Sequence, residues 1–127
     1  MNNYAREMQQ YKTQSVNTMT TGEMLILLYD ELLKRLKKCK IFLEQAEFAV
    51  FEKEAERCRE IVLYLRNSLD RRYPISGNLE QMYEYFTYEL IRLTAGRKTK
   101  IIDDLIPLVE ELRDTFRQAD RLARKEG

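Results

Sequence analysis

Residues 20–46 read TTGEMLILLYDELLKRLKKCKIFLEQA. Leu25, Leu28, Leu32, Leu36, Cys39, Leu43 and Ala46 recur every three or four positions, the spacing that gathers side chains on one face of an α-helix. Thr20 to Glu23 has the spacing of a capping box, in which a Thr side chain accepts an early backbone N–H and the Glu three residues on reaches back. Lys34, Lys37, Lys38 and Lys40 crowd the later turns, where cations complement the negative end of the helix dipole. That Lys cluster reads as a solvated face.

Three further stripes follow. Phe51, Ala55, Cys58, Val62, Leu65 and Leu69 keep a four-three spacing that stops before Pro74, which disfavours helix at the residue preceding it. Ile75-Ser76-Gly77-Asn78 supplies cap and turn residues, then Leu79, Met82, Tyr83, Phe86, Leu90 and Leu93 mark a third helix closed by Gly96. Ile102, Leu105, Val109, Leu112, Phe116 and Ala119 follow Thr99 as an N-cap. Pro107 lies off this stripe, and periodicity continues on both sides of it, so a kink is expected rather than a break. Helices over about 21–47, 50–70, 77–95 and 99–124 predict an all-α, antiparallel up-down four-helix bundle spanning 20–124. Residues 1–19 are polar with scattered Tyr4, Met8, Tyr11 and Val16, and read as an N-terminal arm or short helix.

Composition narrows the function. The 127 residues suit one domain with a single hydrophobic core and no need of disulfide or metal staples. With no His, the commonest acid/base and metal ligand is gone, which excludes Ser-His-Asp sites, zincin motifs and Glu-x-x-His di-iron bundles. A net charge of +1 gives no field for a polyanion, and acidic residues interleave with Arg71-Arg72, Arg97-Lys98-Lys100 and Arg121-Arg124-Lys125, so no nucleic-acid partner is expected. Cys39 and Cys58 fall on helical stripes, where a thiol behaves as a small hydrophobe, and no metal or other cofactor is expected. No apolar run approaches the ~20 residues of a membrane span, and no secretory signal follows Met1; a cytoplasmic chain is expected. Asp103-Asp104 and Glu110-Glu111 point different ways around a helix and read as solvated surface.

Beyond the four stripes lies an apolar surplus: Ile26, Leu27, Tyr29 and Leu33, then Tyr83, Tyr85, Phe86 and Tyr88, then Ile101, Ile106 and Leu108. Either the core is wide and the tyrosines reach water with their hydroxyls, or a second apolar surface receives a partner's amphipathic helices.

The residues that separate these readings are the segment Tyr11-Lys12-Thr13-Gln14-Ser15-Val16-Asn17-Thr18, then Thr20, Gly22-Glu23-Met24 and Leu28-Tyr29-Asp30. Together they resemble the opening of the flagellin-specific export chaperone family, FliS type. Asn78-Leu79-x-x-Met82-Tyr83-Glu84-Tyr85 with Leu90 is similar to its third helix, and Val109 with Leu112-Arg113-Asp114-Thr115-Phe116 to its fourth. Departures are Thr21 in place of Pro, Leu93-Thr94 in place of Ala-Asn, Lys98 in place of Asp and Phe116 in place of Trp. The resemblance implies a non-enzymatic chaperone that binds the disordered C-terminal segment of flagellin and prevents its premature polymerisation before export. It also implies an N-terminal cap over part of the binding surface, carried here by Met8, Tyr11 and Val16, and docking at the flagellar export gate. Tyr11, Val16, Leu28, Tyr29, Leu79, Tyr83 and Phe86 are the residues expected to bind flagellin, on a monomer or weak homodimer. The competing reading from another class is a homodimeric helical scaffold or adaptor that pairs the surplus apolar face with its own copy or another amphipathic helix.

Overall fold

A computed structural model describes residues 21–126, and within them the chain is four helices: α1 (Thr21–Glu44), α2 (Phe48–Asn67), α3 (Ile75–Gly96) and α4 (Thr99–Glu126). Thr20 of the expected capping box lies outside the described residues, as does the arm over 1–19. Side-chain pairs fix the directions. Met24 meets Tyr64 and Arg35 meets Glu54; Arg59 meets Thr94 and Arg66 meets Glu84; Asp30 meets Arg113 and Lys40 meets Asp103. In each set one number rises as the other falls, so α1/α2, α2/α3 and α1/α4 are antiparallel. α4 packs chiefly on α1 and only lightly on α3, while α1 and α3 stand diagonally across the bundle.

Most of the expected stripes form the core: Leu32, Leu36, Cys39 and Leu43 from α1, Phe51, Ala55, Cys58, Val62 and Leu65 from α2, Leu79, Tyr83, Phe86, Leu90 and Leu93 from α3, and Ile102, Leu105, Val109 and Leu112 from α4. Leu25, Leu28, Met82, Phe116 and Leu69, the last beyond the end of α2, are only partly buried against it, and Ala119 is exposed. Cys39 and Cys58 face one another in the core as buried free thiols, and that contact together with burial pushes the Cys58 thiol far above its ordinary range. Much of the surplus is core too, because Tyr29, Leu33 and Ile101 are buried, whereas Leu27, Tyr85 and Tyr88 stay exposed. α4 runs without interruption through Pro107.

Four details of the sequence reading are corrected at the helix ends. Ala46 is not on the α1 stripe. It sits past the helix at φ 57°, donating its N–H to Leu43 O while the Glu47 N–H bonds Phe42 O, which is a Schellman ending that satisfies the last carbonyls. Gly96 does not close α3 by a left-handed turn; that conformation falls to Arg97 (φ 53°), whose N–H bonds Leu93 O. The cost of a side chain there is offset because the Arg97 guanidinium lies 3.9 Å over the Phe48 ring and pairs with Glu52. Ile75 to Asn78 form the first turn of α3 rather than a connection, since Pro74 already holds helical φ at the N-cap position and Ser76 is buried beneath it. Thr99 is the first residue of α4 rather than its cap. A fifth correction is electrostatic: Glu89 is buried on α3 where only apolar groups were expected inward, and Arg92 one turn on binds both its carboxylate oxygens.

Candidate functional site

The two ends of the bundle are built differently. At one end the α1–α2 and α3–α4 connections are short and the helices close on each other. At the other, the α2–α3 connection over 68–74 is longer, and between it and the start of α1 opens a groove of about 500 Å³. Met24, Leu25 and Leu28 of α1 form one wall, Tyr64 and Leu65 of α2 another, Ile75, Leu79 and Tyr83 of α3 a third, and Phe116 of α4 reaches in from the remaining side. Leu69 and Tyr73 of the connection complete the rim. Tyr64, Tyr73 and Ile75 are more than half exposed, so apolar surface is left to water at the mouth.

The connection that holds this end open is fastened by charge. Asp70 accepts the Arg72 guanidinium at 2.7 Å and the Arg72 backbone N–H at 3.0 Å, and these donors hold its carboxyl down at about 2. Arg71 reaches Glu80 of α3, whose carboxyl is lowered by that bond and further by Arg66 of α2. The Tyr73 N–H closes a turn on Asp70 O. These contacts brace the chain between α2 and α3 where it borders the groove.

Beneath the groove lies a polar contact inside the core. The hydroxyls of Tyr29 on α1 and Tyr83 on α3 hydrogen-bond each other, both rings fully buried. The Tyr29 ring also packs on Phe116 with centroids 5.7 Å apart and planes 31° from parallel. Burial, and then the neighbouring Tyr83, hold the Tyr29 hydroxyl neutral far above the usual tyrosine range. Leu28, Leu79 and Tyr83 of the expected binding residues line the groove together. Tyr29 lies behind that wall, and Phe86 belongs to the core below it. Tyr11, Val16 and Met8 lie outside the described residues. Leu25, Tyr64, Tyr73, Ile75 and Phe116 were missed as groove residues; the signal was present in Tyr64, an apolar group off the α2 stripe, and in Tyr73-Pro74, an aromatic just ahead of a helix start.

A family model described as flagellar protein FliS matches residues 3–123. The chain belongs to the FliS family. The flagellar secretion chaperone FliS of Bacillus subtilis (strain 168) is 26% identical over 116 residues, which cover 91% of this chain and 87% of that protein. A crystal structure of a flagellar chaperone from bacteria has the same fold, with a TM-score of 0.78 at 18% identity, over 92% of this chain and 97% of the other. In this FliS-family bundle no helix of the described residues is long and apolar enough to cross a membrane.

Proposed function

We propose that this chain is a cytoplasmic flagellar secretion chaperone whose groove receives the disordered C-terminal segment of flagellin, keeping it from polymerising until export. The observation that carries this reading is the apolar groove bounded by the start of α1, the end of α2 and the start of α3, in a member of the FliS family. A segment that folds as it binds spends about 2–5 kcal/mol on ordering, so it needs a rigid apolar track with aromatic anchors rather than a single contact. Tyr64, Tyr73 and Ile75 at the mouth, above Leu28, Leu79 and Tyr83, have that composition.

α1 begins at the groove itself, since Thr21 and Gly22 line it. The N-terminal arm, through Met8, Tyr11 and Val16, shields this surface in the free protein and yields to the flagellin tail. The loaded chaperone then docks at the export gate. Neither role calls for a reacting group or cofactor, and the chain acts by binding alone.

Calorimetric titration with a peptide of the last ~40 residues of flagellin from the same organism, followed by circular dichroism, tests the reading. Saturable one-to-one binding with negative ΔCp and a gain in helicity is expected. No binding by the folded monomer overturns it, and an obligate dimer in sedimentation favours the scaffold reading. Removing residues 1–17 tests the arm: an unchanged tail affinity together with unchanged solubility of the free protein rules out the shield.

A further inference from the structure

The Tyr29–Tyr83 contact is more than the core requires. Two Phe rings would fill nearly the same space without burying two hydroxyls, and burying hydroxyls is favourable only when their bonds are made. What the hydroxyls add is orientation, because a buried polar pair has one arrangement in which it is satisfied and apolar packing has many. α1 and α3 are diagonal, with no Cα pair between them within 8 Å, so they meet through side chains, and at the level of the groove the Tyr29–Tyr83 bond joins them by a directional contact. The same Tyr29 ring supports Phe116 from α4. Tyr83 and Phe116 both line the groove, and Tyr29 does not.

We infer that Tyr29 is a positioning residue for the groove: without touching the occupant, it holds Tyr83, buried in the α3 wall, and Phe116, the partly exposed aromatic from α4, in the arrangement that gives the groove its shape. This rests on the groove being the tail-binding site. The wall is then set by one side chain from α1.

The test uses the full chain as wild type, Tyr29→Phe, Tyr83→Phe and the double variant, with the same flagellin tail peptide as probe. Tyr29→Phe is expected to weaken binding about fivefold to tenfold, the scale of one buried hydrogen bond. The double variant should be no weaker than the weaker single variant, since both remove one bond. Ile102→Val, a core change outside the groove lining, should lower the melting temperature comparably and leave the affinity alone. Methyl NMR of the free protein gives a second readout that needs no peptide: Tyr29→Phe should shift the methyl signals of Leu65 and Leu79, groove residues on α2 and α3. A Tyr29→Phe variant with a lower melting temperature but wild-type affinity and undisturbed Leu65 and Leu79 methyls overturns the inference, as do single effects that multiply in the double variant. If the wild type itself does not bind the peptide, the tail-binding reading fails; displaced Leu65 and Leu79 methyls would still support the positioning role, and undisturbed ones would overturn it.

Discussion

The closed end of the bundle and the grooved end use the same helices and the same kinds of side chain, and differ in how the chain turns. At the closed end, Ala46 and Arg97 take left-handed conformations immediately after α1 and α3, reversing the chain within a few residues and bringing Phe48 under the Arg97 guanidinium. At the grooved end, the 68–74 connection carries α2 to α3 through a charged, hydrogen-bonded turn that leaves Leu65, Leu69 and Leu79 facing a hollow. Tight turns give core, and a longer braced connection gives an apolar groove. Stability should therefore depend on the closed end and the bundle interior, and partner affinity on the grooved end.

The largest effect expected from that division is at Phe51, fully buried one turn into α2 from the closed end. Phe51→Ala should lower unfolding free energy by about 3–5 kcal/mol, measured by chemical denaturation. A loss within 0.5 kcal/mol would mean that the closed end does not carry the fold. Tyr64→Ala is the converse case, because its ring is half exposed at the groove mouth and, among the described residues, its hydroxyl donates to the Met24 sulfur. Peptide titration should show affinity down about tenfold, with stability moved by about 0.5 kcal/mol or less. Wild-type affinity for this variant would remove Tyr64 from the binding surface.

A smaller change sharpens the comparison from the other side. Ala46→Gly relieves a side chain from the left-handed region and should raise stability by roughly 0.5–1 kcal/mol, the unfolded chain's added freedom subtracting from the gain. Thermal melts would show it, and a fall in melting temperature would mean that the Ala46 conformation carries little strain. The smallest effect concerns acid. Asp70 is held at about 2 in the folded chain against an ordinary 3.8, so its contribution is complete above the ordinary value and is lost as pH falls through the folded one. The stability advantage of wild type over Arg72→Ala should be present at about pH 6, mostly lost by about pH 2 and gone below it. A difference that persists undiminished in acid would assign Arg72 a role other than its bond to Asp70.

The helical stripes were legible because a period of 3.6 residues is a local property: Phe51 to Leu65 share a face whatever lies opposite. Family membership was legible for a similar reason, in ordered strings such as Leu28-Tyr29-Asp30. The groove was legible only in part. Of the residues expected to bind flagellin, Leu28, Leu79 and Tyr83 line it while Tyr29 and Phe86 lie in the core, because an aromatic on a stripe looks alike whether a neighbouring helix or a partner covers it. Tyr64, Tyr73 and Phe116, from three separate stretches, converge only once the 68–74 connection has set where α2 stops and α3 begins.

By itself, then, the sequence determined the class of fold, the four apolar faces and the family, all of which follow from spacing along one chain. Tertiary structure decided which aromatics became core, that Arg97 rather than Gly96 would make the left-handed turn, and that one end of the bundle would stay open. Those outcomes depend on groups far apart in sequence meeting across the bundle, the Phe48 ring under Arg97 and the Tyr83 hydroxyl opposite Tyr29, and no local pattern encodes which of two equally apolar faces finds a neighbour.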